Sequence, residues 1–204
     1  MNSPIYWHPT LYSAAMRLLY GRSYNERYAA IAGLVPEGAD VFEACAGDAR
    51  LYRRFLRKKG VKYVGCDINS AFVRHAQRRG VSMRKLDIRY DPLPLADVTI
   101  LHAGLYQFMP NHVAIIDRLV ASARRVLIIV EPVKNLADST NRVVAWLARL
   151  GAKTTTGTHP SRFNDRSFDA CIKARFAAST IYEQRIARGR EKLFRIELGA
   201  LAPT

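Results

Sequence analysis

The stretch Val41-Phe-Glu-Ala-Cys-Ala-Gly-Asp-Ala-Arg-Leu-Tyr52 decides the fold. It begins as a buried strand, "DVFEA" from Asp40, that ends beside a carboxylate, Glu43. Small residues follow, with Gly47 the one glycine, and an arginine-rich helical segment, "ARLYRRFLRKKG", runs to Gly60. A strand, a tight small-residue turn and a helix in that order predict the first unit of a β-α-β fold, with a ligand at the turn.

Outward from this stretch the alternation continues. "VKYVGCD" is a strand, and "SAFVRHAQRRG" a helix capped by Ser70 and ended by Gly80. "VSMRKLD" is a strand, "PLADVTILHA" holds another, "NHVAIIDRLVASA" is a helix, and "RVLIIVE" is the most apolar strand. "NLADSTNRVVAWLARLG" is a further helix, "FNDRSFDACIKARF" another, and "STIYEQRIARGREKLFRIEL" a hairpin turning near Arg188 to Arg190. This pattern predicts an α/β fold: a doubly wound, mostly parallel seven-stranded sheet with an antiparallel C-terminal hairpin and helices on both faces. Before it, "PTLYSAAMRLLY" is a helix with Leu11, Ala15, Leu18 and Leu19 on one side, and "SYNERYAAIAGL" opens with Ser23 and Glu26 at capping-box spacing. Residues 1–204 therefore form a single domain, with 1–35 a helical cap and 36–204 the core.

The chain has 204 residues, enough for one sizeable core. It has no signal-peptide pattern, and its longest aliphatic run, Val126 to Val130, is too short to cross a bilayer. A soluble, cytoplasmic protein without a transmembrane segment is expected. The three cysteines, Cys45, Cys66 and Cys171, form no Cys-x-x-Cys pair, so neither a disulfide framework nor a metal site is expected. Lys plus Arg is 32 against 17 acids, a formal charge of +15. That charge favours anionic partners, nucleic acid or an acidic substrate among them, or else reflects arginines spread over solvated faces.

Ligands of open parallel sheets sit beyond the carboxyl ends of the strands. Glu43, Asp67, Asp87, His102 and Glu131 fall at successive strand ends. A dinucleotide site would need G-x-G-x-x-G, and Glu43 would face a pyrophosphate with like charge. The carboxylate argues for a cationic, ribose-bearing ligand without phosphates, a description that fits S-adenosylmethionine.

On these residues the chain resembles the class I S-adenosylmethionine-dependent methyltransferases, over roughly Asp40 to Glu131. "FEACAGDA" is similar to the family's first motif, with Cys45 and Ala49 where the family has glycine. "YVGCDIN" is similar to the second and "KLDIRYDPLPLADVTIL" to the third. The resemblance implies that Glu43, Ala44, Cys45, Ala46 and Gly47 approach the methionyl end, Glu43 taking the ammonium while the helix beginning near Asp48 offers free N–H groups. It assigns Asp67 and its neighbour Ile68 to the ribose, and Asp87 and Ile88 to the adenine. "HAGLYQF" falls near the transferred methyl group, with His102 as cofactor contact or general base and Tyr106 beside it. Packing or a strand-end hydrogen bond is the other reading of His102. Arg50, Arg53, Arg54 and Arg57 are expected on the outer face of their helix, with Leu51, Phe55 and Leu56 inward. Tyr6, Trp7, Tyr12, Tyr20, Tyr24 and Tyr28, with the segment Thr154 to Phe168, are expected to cover the acceptor unless the aromatics are core. The implied activity is methyl transfer to a small-molecule or lipid-like acceptor, and the charge of +15 points to an anionic one. RNA methylation and a cofactor-binding pseudoenzyme are the alternatives.

Overall fold

The computed structural model describes residues 8–134 and 162–199, together with the strand residues 153–154 and 157–158. Two cap helices come first, α1 (Pro9–Tyr20) and α2 (Ser23–Gly33). The core follows as β1 (Asp40–Ala44), α3 (Arg50–Arg54), β2 (Lys62–Asp67), α4 (Ser70–Gln77), β3 (Met83–Lys85) and β4 (Ala96–His102). It continues with α5 (His112–Ala121), β5 (Ala123–Pro132), a short ribbon of β6 (Lys153–Thr154) and β7 (Gly157–Thr158), α6 (Asp165–Arg175), β8 (Ile181–Ile186) and β9 (Glu191–Glu197).

The main sheet has seven strands in the order β3-β2-β1-β4-β5-β9-β8. β1 to β5 pair in parallel, while β9 runs antiparallel to both β5 and β8. The strand order reverses between β1 and β4, which creates the crevice where such sheets bind ligands. β5 is buried along nearly its whole length, as "RVLIIVE" requires of a strand covered on both faces.

Each face carries its own core. Val41, Tyr63, Ile100, Ile128 and Leu193 pack under the cap helices and α3. Phe42, Leu101, Leu127, Ile129 and Phe194 pack under α5 and α6. Tyr20, Tyr24 and Tyr28 are buried in the first of these cores, so these three cap aromatics are packing residues. Tyr12 is half-buried and meets Phe72 edge-on at 5.3 Å between ring centroids. Tyr6, Trp7, positions 155–156 and 159–161 of the segment expected over the acceptor, and the helix expected over 135–151 lie outside the described residues.

Several local expectations are corrected. Leu11 and Leu18 do not face inward; they are 58% and 61% exposed, and Met16, Leu19 and Tyr20 make the contact with the core. α2 has no capping box, because Arg22 precedes it in helical conformation and no side chain caps it. Asn69, not Ser70, caps α4, its side chain accepting from the Ala71 amide at 2.9 Å. The arginine-rich helix is interrupted: α3 stops at Arg54, and a 3-10 turn over Leu56–Lys59 closes on Gly60. With only five residues, α3 is not the extended helix N-terminus expected of it. Arg50 is buried rather than solvated, and Arg53 is drawn back onto Asp48 at 2.7 Å. Arg54 and Arg57 are exposed, and Leu51 and Leu56 are fully buried, as expected.

Candidate active site

The turn after β1 has a backbone with few solutions for L-residues. Cys45, Gly47 and Ala49 all adopt left-handed conformations, with φ of +54°, +55° and +53°. Every second residue thus has the conformation that glycine accepts freely and that costs other residues about 1–2 kcal/mol. The loop is tied to the end of β2, the Ala46 amide donating to the Cys66 carbonyl at 2.8 Å and the Gly47 amide to Asp67 at 3.0 Å. Ala44 is fully buried at the end of β1.

Glu43 is buried near the end of β1 and accepts the Tyr63 hydroxyl at 2.6 Å. Gly65 makes room for that contact, because a Cβ there would come within 2.6 Å of the Tyr63 hydroxyl. Burial pushes the Glu43 carboxyl up to about 8, against the lowering effect of the Tyr63 bond. Asp67 also accepts the Asn69 amide at 2.8 Å, and burial raises it to about 6 despite its two backbone donors. A carboxylate offers about four lone-pair sites, so Asp67 can still receive the two hydroxyls of a diol. Ile68 is half-buried beside it.

β3 ends at Lys85, so Asp87 opens a turn rather than ending the strand. Its carboxylate takes a forked bond from Arg89, at 2.9 Å from Nε and 2.6 Å from Nη2, which holds it below the usual carboxylate range. Ile88 is buried, and its carbonyl accepts Arg118 Nε at 2.7 Å. Asp67 thus has only backbone donors, while Asp87 is already paired with an arginine.

His102 ends β4 inside a network that the sequence did not reveal. Arg27 of α2 and Glu191 of β9 form an ion pair at 3.1 Å, with side chains 2% and 0% exposed. The Tyr20 hydroxyl donates to Glu191 Oε1 at 2.7 Å. His102 Nε2 lies 3.1 Å from Arg27 Nε, 2.7 Å from Arg27 Nη2 and 3.1 Å from Glu191 Oε2. Guanidinium nitrogens only donate, so Nε2 is the acceptor and the proton of the neutral ring sits on Nδ1. Burial, then Arg27, lowers the His102 pKa, which agrees with a neutral ring. Glu191 is held down at about 2 by Arg27, with the Tyr20 hydroxyl donating to it, in spite of its burial. The signal for Arg27 was its spacing: it shares the apolar stripe of α2 with Tyr24, Tyr28 and Ile31, where a solvated arginine has no place.

Tyr106 is buried in the 3-10 turn Leu105–Phe108, with the Arg162 guanidinium 4.7 Å above its ring. Glu131 secures that turn, its Oε1 accepting the Leu105 amide at 2.6 Å. Its Oε2 is buried without a hydrogen-bond partner among the described residues, and burial pushes the carboxyl up to about 8.

No family model matches the chain, and no curated protein matches it. Solved structures do. The magnesium protoporphyrin IX methyltransferase of Synechocystis PCC 6803 with bound SAH is 18% identical, with a TM-score of 0.60, over 84% of this chain and 78% of that one. A SAM-dependent methyltransferase of Thermotoga maritima is 14% identical, with a TM-score of 0.61, over 89% of this chain and 92% of that one. Human N-acetylserotonin methyltransferase in complex with SAM is 15% identical, with a TM-score of 0.64, over 96% of this chain and 58% of that one. The chain has the class I methyltransferase fold. Its strand order is mixed only at the β5-β9-β8 edge, which is the seven-stranded arrangement expected from the sequence. Among the described residues no helix is long and apolar enough to cross a membrane.

Proposed function

We propose that the protein is an S-adenosylmethionine-dependent methyltransferase acting on a small-molecule or lipid-like, anionic acceptor. The left-handed backbone at Cys45, Gly47 and Ala49 carries this reading. Strain kept at two residues with side chains, in a loop that ends a strand at the sheet's switch point, is the signature of a ligand cradle. The donor set suits this cofactor. Glu43 is a buried acid lacking a cation among the described residues, Asp67 can accept a diol, and the buried Ile88 supplies an apolar wall.

When bound, the cofactor supplies a methyl group already activated on a sulfonium. The chain's task is then to hold an acceptor atom in line and to keep water out. Glu43 would take the ammonium and lose its own proton, and Asp67 would take the ribose hydroxyls. Asp87, being paired with Arg89, acts on the adenine side through its turn more than through its carboxylate.

His102 works in this scheme as a fixed hydrogen-bond donor through Nδ1, not as a base, because Arg27 occupies the lone pair of Nε2. Tyr106 lines the acceptor side in the turn held by Glu131. The test of the activity is transfer of a labelled methyl group from S-adenosylmethionine into small molecules of a cell extract, run beside an RNA fraction. A labelled small, acidic product supports the reading, and label appearing only in RNA overturns the choice of acceptor.

A further inference from the structure

A second concavity lies between the α1–α2 corner and α3, with a volume of about 530 Å³. Arg17, Arg50 and Arg54 line it together with Tyr24 and Asn25, and Gly21 and Phe55 complete the wall. No acid lines it, and none of the three arginines has an ion-pair partner among the described residues. The acid preceding α3, Asp48, is committed to Arg53 at 2.7 Å and to the Ser13 hydroxyl at 2.9 Å.

Two buried polar atoms in this pocket have nothing to bond. Arg50 is 6% exposed, and its Nε has no hydrogen-bond partner. Its Nη2 donates to Asn25 Oδ1 at 2.7 Å, and its guanidinium lies 4.4 Å above the Tyr24 ring. Tyr24 is 2% exposed, and its hydroxyl is also without a partner. Ser13 comes near that hydroxyl without hydrogen-bond geometry and donates its own hydrogen to Asp48. A buried guanidinium without a counter-charge is costly, and so is a buried hydroxyl without an acceptor. One occupant resolves both: an anion rich in acceptor oxygens.

We propose that this pocket binds the phosphate group of a small phosphate monoester. Three guanidinium groups match a dianion better than a single carboxylate, and the forked geometry of arginine suits phosphate oxygens. The proposal does not depend on the activity proposed above. A half-open pocket of this size, bounded by seven residues of two neighbouring segments, suits a small molecule rather than the continuous groove that a nucleic-acid backbone follows.

The test uses the full chain with inorganic phosphate and glycerol 3-phosphate, against acetate at matched ionic strength, by calorimetry and thermal melting. Phosphate and glycerol 3-phosphate should bind and raise Tm, and acetate should not. The double variant Arg17→Gln/Arg54→Gln replaces exposed side chains. It should weaken phosphate binding at least tenfold without moving Tm in phosphate-free buffer. Tyr24→Phe should also weaken binding, and its ligand-free Tm should hold or rise because the hydroxyl lost has no partner. Equal binding of phosphate and acetate overturns the proposal, as does unchanged phosphate affinity in the double variant. Binding of single-stranded RNA through these arginines without binding of either small phosphate overturns it as well.

Discussion

Two buried glutamates on the same sheet face opposite fates. Glu43, near the end of β1, has no cation near it among the described residues and is pushed up to about 8. Glu191, at the start of β9, has Arg27 and is held at about 2. Both are nearly or wholly removed from water, at 3% and 0% exposure, so burial alone cannot separate them. The difference is the partner. At β9 the protein completes its own ion pair and fastens the cap to the sheet. At β1 it leaves an acid uncompensated beside a strained turn, as a site awaiting a cationic ligand would.

Breaking the completed end should have the largest effect. Arg27→Ala leaves Glu191 charged and buried, which typically costs about 3–5 kcal/mol. Urea denaturation should show that loss at neutral pH, and Glu191→Gln in the Arg27→Ala background should recover part of it. The two glutamates also predict opposite pH trends. The Glu191 contribution is fully present above its ordinary 4.5 and is lost as pH falls toward 2. The Glu43 contribution is present below 4.5 and is lost as pH rises through about 8. Glu43→Gln should therefore flatten the decline in stability of the ligand-free protein between pH 5 and 8, and Glu191→Gln should not.

Asp67→Ala comes next. It should weaken S-adenosylmethionine binding by about ten- to a hundredfold, equivalent to roughly 1.5–3 kcal/mol for a charged hydrogen-bond acceptor. Its melting curve should fall only modestly, because the Gly47 and Asn69 amides it leaves without an acceptor lie in a half-buried turn that water can reach. The smallest effect concerns the loop itself. Ala49→Gly usually destabilises a chain, yet at φ +53° it should be neutral or stabilising by up to about 1 kcal/mol. A clear loss of stability in Ala49→Gly would remove the strain on which the reading of the turn rests.

The two ends were also unequally legible in the sequence. The strand-turn-helix alternation announced the sheet and its switch point beside β1, because these are local patterns with fixed periods. The pair on which the other end depends joins α2 to β9, and Tyr20 meets Glu191 across a separation of 171 residues. No local period encodes such a contact. Arg50 and Arg53 were misread for a related reason. Arginine on a helix usually means solvent, but α3 is a single short segment wedged against the cap, and its first arginine is used to fill the space beside Tyr24.

The most direct test of the central claim is a calorimetric titration with S-adenosylmethionine at pH 7 in two buffers of different ionisation enthalpy. If Glu43 waits protonated for a cation, binding must release a proton, so the apparent enthalpy should differ between the buffers. The affinity should rise from pH 6 to pH 8, and both effects should vanish in Glu43→Gln. Binding without proton release, or release unchanged in Glu43→Gln, would contradict the account of the β1 end.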